Sequence, residues 1–408
     1  MTTLTPPLSF FKSQWQFLLF GFLLAFFSSP GQTFFISLFS GQIRGELNLS
    51  HGEFGSIYAA GTLISAATLI PLGRLVDTIK LHRIAFAIII ALALAAFHFS
   101  FVSSVFTLGL GIYFLRLSGQ GMMSHLYATA ITRRYVAERG RAYSIAVFGH
   151  PVSEFAMPIF VIAALALMDW RQVWQVTAVM VLVIMIPATL FLTGRRKGQD
   201  GGGVDSLDAN ETGRGGVHWT RRDMLTHWRF WMLSGLIIAP SFTTTGLFFH
   251  QIYFVEVKSI ELSQWVTGFG FFASMSIAGS FIGGYLVDKF TAARVAPLAV
   301  GAITIAVFML YITTPGVMVF VYFSVFGLIQ GLSHTAATPI WAELYGTKHL
   351  GGIKAIAQSM MVFASAMSPV ILGLMIDQGM SLAALLMVLG ALPVTSGVLA
   401  LIATSTRH

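Results

Sequence analysis

The sequence Gly73-Arg74-Leu75-Val76-Asp77 returns 211 residues later as Gly284-Tyr285-Leu286-Val287-Asp288. Each copy follows an apolar stretch of about 20 residues, which is the length a helix needs to cross a bilayer. Three further matches occur in the same order at nearly the same spacing: Gln120-Gly121 with Gln330-Gly331, Ser124-His125 with Ser333-His334, and Pro158 with Pro369. These ordered matches indicate two copies of one structural unit.

The whole chain, including the regions outside the repeat, is a succession of apolar spans. Of its 408 residues, 56% are hydrophobic and only 10% are charged, whereas soluble proteins carry about 25% charged residues. We predict spans near residues 15–39, 54–75, 83–103, 105–130, 143–167, 172–193, 230–255, 263–287, 295–314, 316–338, 352–376 and 381–404. The predicted fold is an all-α membrane protein of about twelve transmembrane helices in two pseudo-symmetric six-helix halves.

One polar segment separates the two predicted halves. Residues 194–228 contain Gly201-Gly202-Gly203 together with several acids and bases, which is typical of a flexible linker rather than a phosphate loop. We therefore expect an N-terminal half at 1–193, a linker at 194–228 and a C-terminal half at 229–408. The chain has no cysteine, so disulfides and thiolate metal sites are excluded, and we expect neither a metal nor a cofactor.

The basic residues predict the orientation in the membrane. With both termini in the cytoplasm, 20 of the 24 Lys and Arg residues fall inside, Arg116 is intramembrane, and only Arg44, Arg171 and Lys258 fall outside. This asymmetry follows the positive-inside rule. We expect a multi-pass protein of the plasma (inner) membrane with an uncleaved N-terminus, and we attribute the net charge of +8 to membrane topology rather than to nucleic-acid binding.

The two repeated loops resemble the signature loop of the major facilitator superfamily. Residues 116–121 resemble its fourth-helix arginine motif, and residues 149–158 loosely resemble its fifth-helix motif. Three positions in the loops depart from the family: Thr78 occupies a position where the family usually has arginine, and Lys80 and Thr291 occupy positions where it usually has glycine. The resemblance implies a secondary transporter in which Asp77 and Asp288 act as cytoplasmic latches. The expected gating-loop residues are Gly73, Asp77, Arg83, Gly284, Asp288 and Arg294.

Arg116 and Glu154 are the leading candidates for the transport site. Each is about 11 residues from the start of its predicted span, so at roughly 1.5 Å per residue both lie near mid-depth. A charge there costs roughly 2.5–3.5 kcal/mol and marks a functional position by default. His150 precedes Glu154 by four residues and shares its helix face. The repeat counterparts of Arg116 and Glu154 are Phe326 and Ser365, so these charges break the internal symmetry.

Two interpretations of these three polar residues remain open. They bind substrate or a coupling proton, or Arg116 and Glu154 form a structural ion pair that holds two helices together. Weaker candidates for lining a cavity lie in the first span, where Pro30 and Gly31 indicate a broken helix that exposes backbone groups, and toward the outer end of the seventh span. These candidates are Gln32, Thr33, His250, Gln251 and Tyr253.

The sequence predicts a secondary active transporter of a small organic solute, coupled to protons, with an organic anion such as a monocarboxylate favoured by Arg116. Efflux of an amphiphilic compound by proton antiport is one alternative, and a non-transporting membrane sensor or assembly factor is another. No nucleotide loop, metal-ligand cluster or nucleophile elbow supports an enzyme. The expected partners are the solute, the proton and the lipid bilayer, and the chain is expected to act as a monomer.

Overall fold

The computed structural model describes residues 7–135, 139–193, 219–346 and 350–405, and every long regular element in these ranges is helical. We label the twelve spans α1 to α12. Five of them consist of consecutive segments, and the others are single helices. The bounds are α1 Pro7–Phe27 with Ser29–Gly31, Thr33–Ile36, Ser37–Phe39 and Ser40–Leu47; α2 His51–Gly73; α3 Leu81–Phe99; α4 Val105–Leu115, Arg116–Met123 and Ser124–Arg134; α5 Arg139–Val147 and Gly149–Leu165; α6 Trp170–Thr193; α7 Trp228–Phe249 and Gln251–Val257; α8 Leu262–Phe290; α9 Ala292–Ile312; α10 Val317–Ala337 and Ile340–Tyr345; α11 Leu350–Asp377; α12 Leu382–Ser405.

The predicted fold class is confirmed. The described residues contain 10 helices long and apolar enough to cross a membrane, and the bent parts of α1 together form one more span. The twelfth predicted span is α4, which a change of helix type interrupts. Helices dominate because the hydrocarbon core offers no water to the backbone, so each segment must satisfy its own N–H and C=O groups.

The chain forms two compact units. Unit 1 comprises Met1–Leu49 and Ile57–Asp205, and unit 2 comprises Ser50–Ser56 and Ser206–His408. Of the predicted linker, residues 194–218 lie outside the described residues. The remainder belongs to unit 2, where Thr220 forms a capping box with Asp223 at the start of the short helix Arg221–Thr226, and the backbone N–H of Trp219 donates to the Tyr345 carbonyl.

Close packing in unit 2 depends on glycines in α8 and α10. A Cβ added to Gly327 would meet the backbone of Phe272, and one added to Gly331 would meet the backbone of Ser276. In the same way, a Cβ added to Gly279 of α8 would meet the carbonyl oxygen of Leu328 in α10. In lipid, small residues allow helix backbones to approach and to gain van der Waals contact. The high glycine content of the chain therefore serves helix packing.

The first turn of α2 belongs to unit 2 and is capped by a carboxylate of α11. Asp377 accepts the backbone N–H groups of His51 at 2.9 Å and Gly52 at 2.7 Å. These are two of the N–H groups that a helix start leaves without an intrahelical partner, and a carboxylate there also interacts favourably with the helix dipole.

The repeated loop of unit 2 contains a strained residue. Thr291 has φ 74° and ψ 152°, a conformation essentially restricted to glycine, and its side chain is exposed and caps nothing. A glycine at this position would adopt the same backbone conformation without strain. Glu343 stabilises the same turn by accepting the N–H groups of Ala292 at 2.9 Å and Ala293 at 3.3 Å.

We expect Thr291→Gly to stabilise the protein. Removing the strain contributes about 1–3 kcal/mol, and the greater freedom of glycine in the unfolded chain offsets roughly 0.4–1 kcal/mol of it. The measurement is the thermal unfolding midpoint in detergent. Thr291→Ala keeps the strain and serves as the control, so an equal midpoint for the Gly and Ala variants would contradict this account.

Candidate functional site

The first half of the site is a break in α1. The α-helix ends at Phe27, Ser29–Gly31 form one turn of 3-10 helix, and Gln32 is extended with φ −89° and ψ 151°. The two parts of the span differ in direction by 43°. Pro30 contributes to the break because it lacks an N–H and its ring clashes with the preceding turn.

The second half is a π-helical segment in the middle of α4. Residues Arg116–Met123 form this wider helix between two regular α-helices. π-Helical insertions are rare and occur frequently at functional sites. The π-helical segment begins at Arg116, the charged residue in the middle of the span. The irregular backbone and the intramembrane charge therefore occur at the same place.

These two irregular segments are in direct backbone contact within unit 1. A Cβ on Gly31 would meet the Leu115 carbonyl oxygen and would lie 2.8 Å from the Cα of Gly119. A Cβ on Gly119 would lie 2.9 Å from the Cα of Gly31. Glycine is therefore required on both sides, which explains why Gly31 and Gly119 accompany Pro30 and Arg116.

The guanidinium of Arg116 is held at this contact. The residue is 1% exposed, and one terminal nitrogen donates to the Gly31 carbonyl at 3.1 Å. Its charge faces the ring of Tyr58, 5.2 Å from the ring centroid, a cation–π contact that helps to stabilise a desolvated cation. The Tyr58 hydroxyl shares a hydrogen bond of 2.7 Å with Thr33, so Thr33 helps to orient the aromatic ring.

Several polar atoms at this level of unit 1 have no protein partner. The Nε of Arg116 is buried without a hydrogen-bond acceptor, and so are the hydroxyls of Ser29 in the break and Thr62 on α2. Thr62 is one helical turn from Tyr58. Buried donors without acceptors cost about 1–3 kcal/mol each, so an acceptor reaching the Nε of Arg116 would remove one such cost.

The corresponding place in unit 2 is apolar. Phe326 takes the position of Arg116 and packs within a ring cluster, with centroids 5.9 Å from Phe248, 5.2 Å from Phe272 and 5.9 Å from Tyr322. Phe269 takes the position of Tyr58. The π segment has no counterpart, because the equivalent residues lie in the regular helix Val317–Ala337. The site is thus a property of unit 1 alone.

The break in α1 is also unmatched, although its proline is repeated. Pro240 lies 210 residues after Pro30, yet α7 continues through it from Trp228 to Phe249. A second irregularity is shared, since Phe39 with φ −98° and ψ 4° corresponds to His250 with φ −93° and ψ 21°. The shared kink belongs to the scaffold, whereas the break at Ser29–Gln32 is specific to the Arg116 site.

Glu154 lies in the helix Gly149–Leu165 of α5 and is partly buried. Within the described ranges its carboxylate makes neither a hydrogen bond nor an ion pair, and no carboxylate lies within ion-pair distance of Arg116. The structural ion pair, one of the two interpretations left open by the sequence, is therefore not formed here. His150 shares a hydrogen bond of 3.1 Å with the Tyr127 hydroxyl.

The remaining candidates divide between the units. Gln32 lies at the α1 break and donates to the Ser28 hydroxyl at 3.2 Å. In unit 2, His250 is 3.1 Å from the Pro369 carbonyl, and Gln251 accepts the Trp265 indole N–H at 3.1 Å. Those two side chains serve packing in this conformation. Tyr253 is partly exposed, with its ring centroid 5.4 Å from that of His51.

The gating-loop candidates lie at helix ends. Gly73 ends α2, and its carbonyl lies 3.2 Å from His125. Asp77 lies in the short helix Leu75–Thr78, but its side chain is outside the described part of the structure. Gly284 lies within α8 and is partly buried, while the side chains of Arg83, Asp288 and Arg294 are exposed. At the start of α9, the helix-capping carboxylate is Glu343 rather than Asp288.

The fold and the site define a multi-pass membrane protein with a polar centre built into otherwise apolar helices. Residues 18–369 match the model of the Major Facilitator Superfamily, and the chain belongs to this family of secondary transporters. The predicted family is thereby confirmed. No curated protein matches the chain.

Two solved structures share the fold over nearly the whole length. One is a bacterial homologue of the human lysosomal transporter Spinster, inward-facing and unoccupied, with a TM-score of 0.69, 17% identity, and coverage of 96% of this chain and 95% of that one. The other is described as inward-facing and occupied, with a TM-score of 0.66, 16% identity and coverage of 97% and 96%. At these identities the likeness concerns the fold.

Proposed function

We propose that this protein is a proton-coupled transporter of a small organic anion, with a monocarboxylate as the favoured substrate class. The observation that carries the proposal is Arg116, a buried guanidinium with no carboxylate partner among the described residues and with an unpaired Nε. Guanidinium groups match the planar, two-oxygen geometry of a carboxylate. The hydroxyls of Ser29 and Thr62 provide further donors.

Glu154 is proposed as the carrier of the coupling proton. It is the acid of α5 that faces no countercharge in the described structure, so it can gain or lose a proton without breaking an ion pair. A carboxyl group away from bulk water favours its neutral form. An anion entering beside Arg116 together with a proton on Glu154 would cross without adding net charge to the apolar interior.

The proposal is tested on the purified full-length protein. A thermal-stabilisation screen with acetate, lactate, pyruvate and benzoate comes first, since a ligand at 100 times its dissociation constant adds about 2.7 kcal/mol of stability. Uptake of the best ligand into proteoliposomes, with and without a pH gradient, follows. No stabilisation by any carboxylate, combined with stabilisation by an amphiphilic cation, would favour the efflux alternative.

Membrane placement is part of the same proposal. We assign the protein to the plasma (inner) membrane as a monomer without enzymatic activity, with both termini and the linker 194–228 in the cytoplasm. The argument is the distribution of basic residues. A reporter fused after Asp205 should behave as cytoplasmic in intact cells, and a fusion after Glu261, between α7 and α8, should show the opposite behaviour. Equal signals from the two fusions would overturn the orientation.

A further inference from the structure

A buried chain of hydrogen-bonding groups leads away from Glu154. His150 is one helical turn before Glu154 on the same face of α5. The ring of His150 shares a hydrogen bond of 3.1 Å with the hydroxyl of Tyr127 on α4, and the two ring centroids are 5.7 Å apart. Tyr127 is 5% exposed, so this hydroxyl lies in the interior of unit 1.

The chain continues to the surface through Tyr143. The rings of Tyr127 and Tyr143 are neighbours, with centroids 6.2 Å apart. Tyr143 lies in the helix Arg139–Val147 and is 37% exposed. The order Glu154, His150, Tyr127 and Tyr143 thus leads from a carboxylate without a partner in the described structure to a tyrosine that is 37% exposed.

The described helices around His150 carry few charged side chains that could compete for its proton. The charged residues of α1 are Lys12, Arg44 and Glu46, and that of α6 is Arg171, all near an end of their span. On the last part of α4, His125 and Arg133 bond to backbone carbonyls of the repeated loop, and Arg134 stacks on Phe17. The described groups beside His150 that can exchange a proton are therefore the two tyrosines and Glu154.

We propose that His150, Tyr127 and Tyr143 form a proton relay through which Glu154 exchanges its proton with water. This inference rests on the proposed role of Glu154 as proton carrier. Rotation of the Glu154 side chain, which no hydrogen bond holds in the described structure, brings its proton to Nδ1 of His150. Nε2 then releases its own proton to Tyr127, Tyr127 releases one to Tyr143, and Tyr143 releases one to water. Each intermediate group ends neutral, and one proton has moved.

The test follows the proton itself, so it needs no identified substrate. After a rapid pH jump, time-resolved infrared spectroscopy on the reconstituted full-length protein follows the carboxyl band that Glu154→Gln removes. Tyr127→Phe keeps the ring and removes the hydroxyl, and we expect it to slow the protonation of Glu154 about 100-fold, in the range typical of general acid–base groups. Tyr143→Phe, at the exposed end, provides a second variant should Tyr127→Phe misfold.

The matched control is Tyr113→Phe, which removes the α4 hydroxyl that donates to Thr68 at 3.4 Å and leaves the relay intact. Protonation rates in Tyr127→Phe and Tyr143→Phe equal to that of Tyr113→Phe would overturn the relay and leave the role of Glu154 standing. A parent protein with no carboxyl band assignable to Glu154 would overturn the proposed proton carrier and the relay together. A shifted titration midpoint at an unchanged rate would assign Tyr127 a structural role and reject the relay.

Discussion

Arg116→Lys is expected to weaken the binding of a small carboxylate roughly 30- to 700-fold, although the positive charge is kept. Lysine is a point charge on a flexible stem, so it cannot offer the two parallel N–H donors with which arginine binds a carboxylate. Hydrogen bonds to charged groups contribute about 1.5–3 kcal/mol each, and a net loss of about 2–4 kcal/mol corresponds to that range at 1.4 kcal/mol per factor of ten. Isothermal calorimetry with the carboxylate found in the stabilisation screen measures the change.

The control for Arg116→Lys is Arg222→Lys, which exchanges an exposed arginine of the short helix Arg221–Thr226 and should leave the affinity unchanged. Folding is checked separately, because Arg116 also donates to the Gly31 carbonyl. A Lys variant with parental affinity would show that Arg116 acts through its charge alone or through the α1 break. The proposed binding of a carboxylate by two parallel N–H donors of Arg116 would then be wrong.

The twelve spans were predictable because the bilayer imposes one rule on every segment. A stretch that must satisfy its backbone internally over the hydrocarbon thickness is a long apolar helix, so hydropathy and length locate it. The ends of α6 were also close to prediction, since the helix expected at 172–193 is observed at Trp170–Thr193. Arg116 could be found for the same reason, since a charge in such a segment stands out against its neighbours.

The backbone irregularities of the site could not be predicted in this way. Pro30 and Pro240 occupy nearly equivalent positions, yet only the helix with Pro30 breaks. The difference is tertiary, because Gly31 lies against Gly119 and the π segment in unit 1, and α7 has no such neighbour at that point. A π-helix likewise depends on packing, and nothing in residues 116–123 taken alone distinguishes it from an α-helix.

Two aromatic residues of the site escaped the sequence interpretation for a different reason. Tyr58 and Tyr127 lie in apolar spans where an aromatic ring normally serves packing or lipid contact. The signal that could have revealed them is the one that favoured Arg116, namely broken repeat symmetry. Tyr58 corresponds to Phe269 and Tyr127 to Ala337, so unit 1 alone carries these two hydroxyls.

Glu154→Gln is expected to retain exchange of substrate across proteoliposome membranes and to lose accumulation driven by a pH gradient. Glutamine imitates the protonated carboxyl group and cannot release the proton, so the carrier can still reorient with substrate while the coupling step is absent. Glu256→Gln, which neutralises an exposed acid of unit 2, is the matched control and should accumulate substrate normally. Gradient-driven accumulation at the parental level in Glu154→Gln would eliminate the proton-carrier role.

The stability of the same variants distinguishes this role from a structural one. Removing one member of a buried ion pair costs about 3–5 kcal/mol, and removing both restores much of the loss. Because Glu154 and Arg116 form no ion pair in the described structure, we expect Glu154→Gln to change the free energy of unfolding by less than about 1 kcal/mol, as substitutions away from such pairs commonly do. Combining it with Arg116→Gln should give additive effects. A large loss in the single variant, recovered in the double variant, would instead show that the two charges pair in another conformation of the transport cycle.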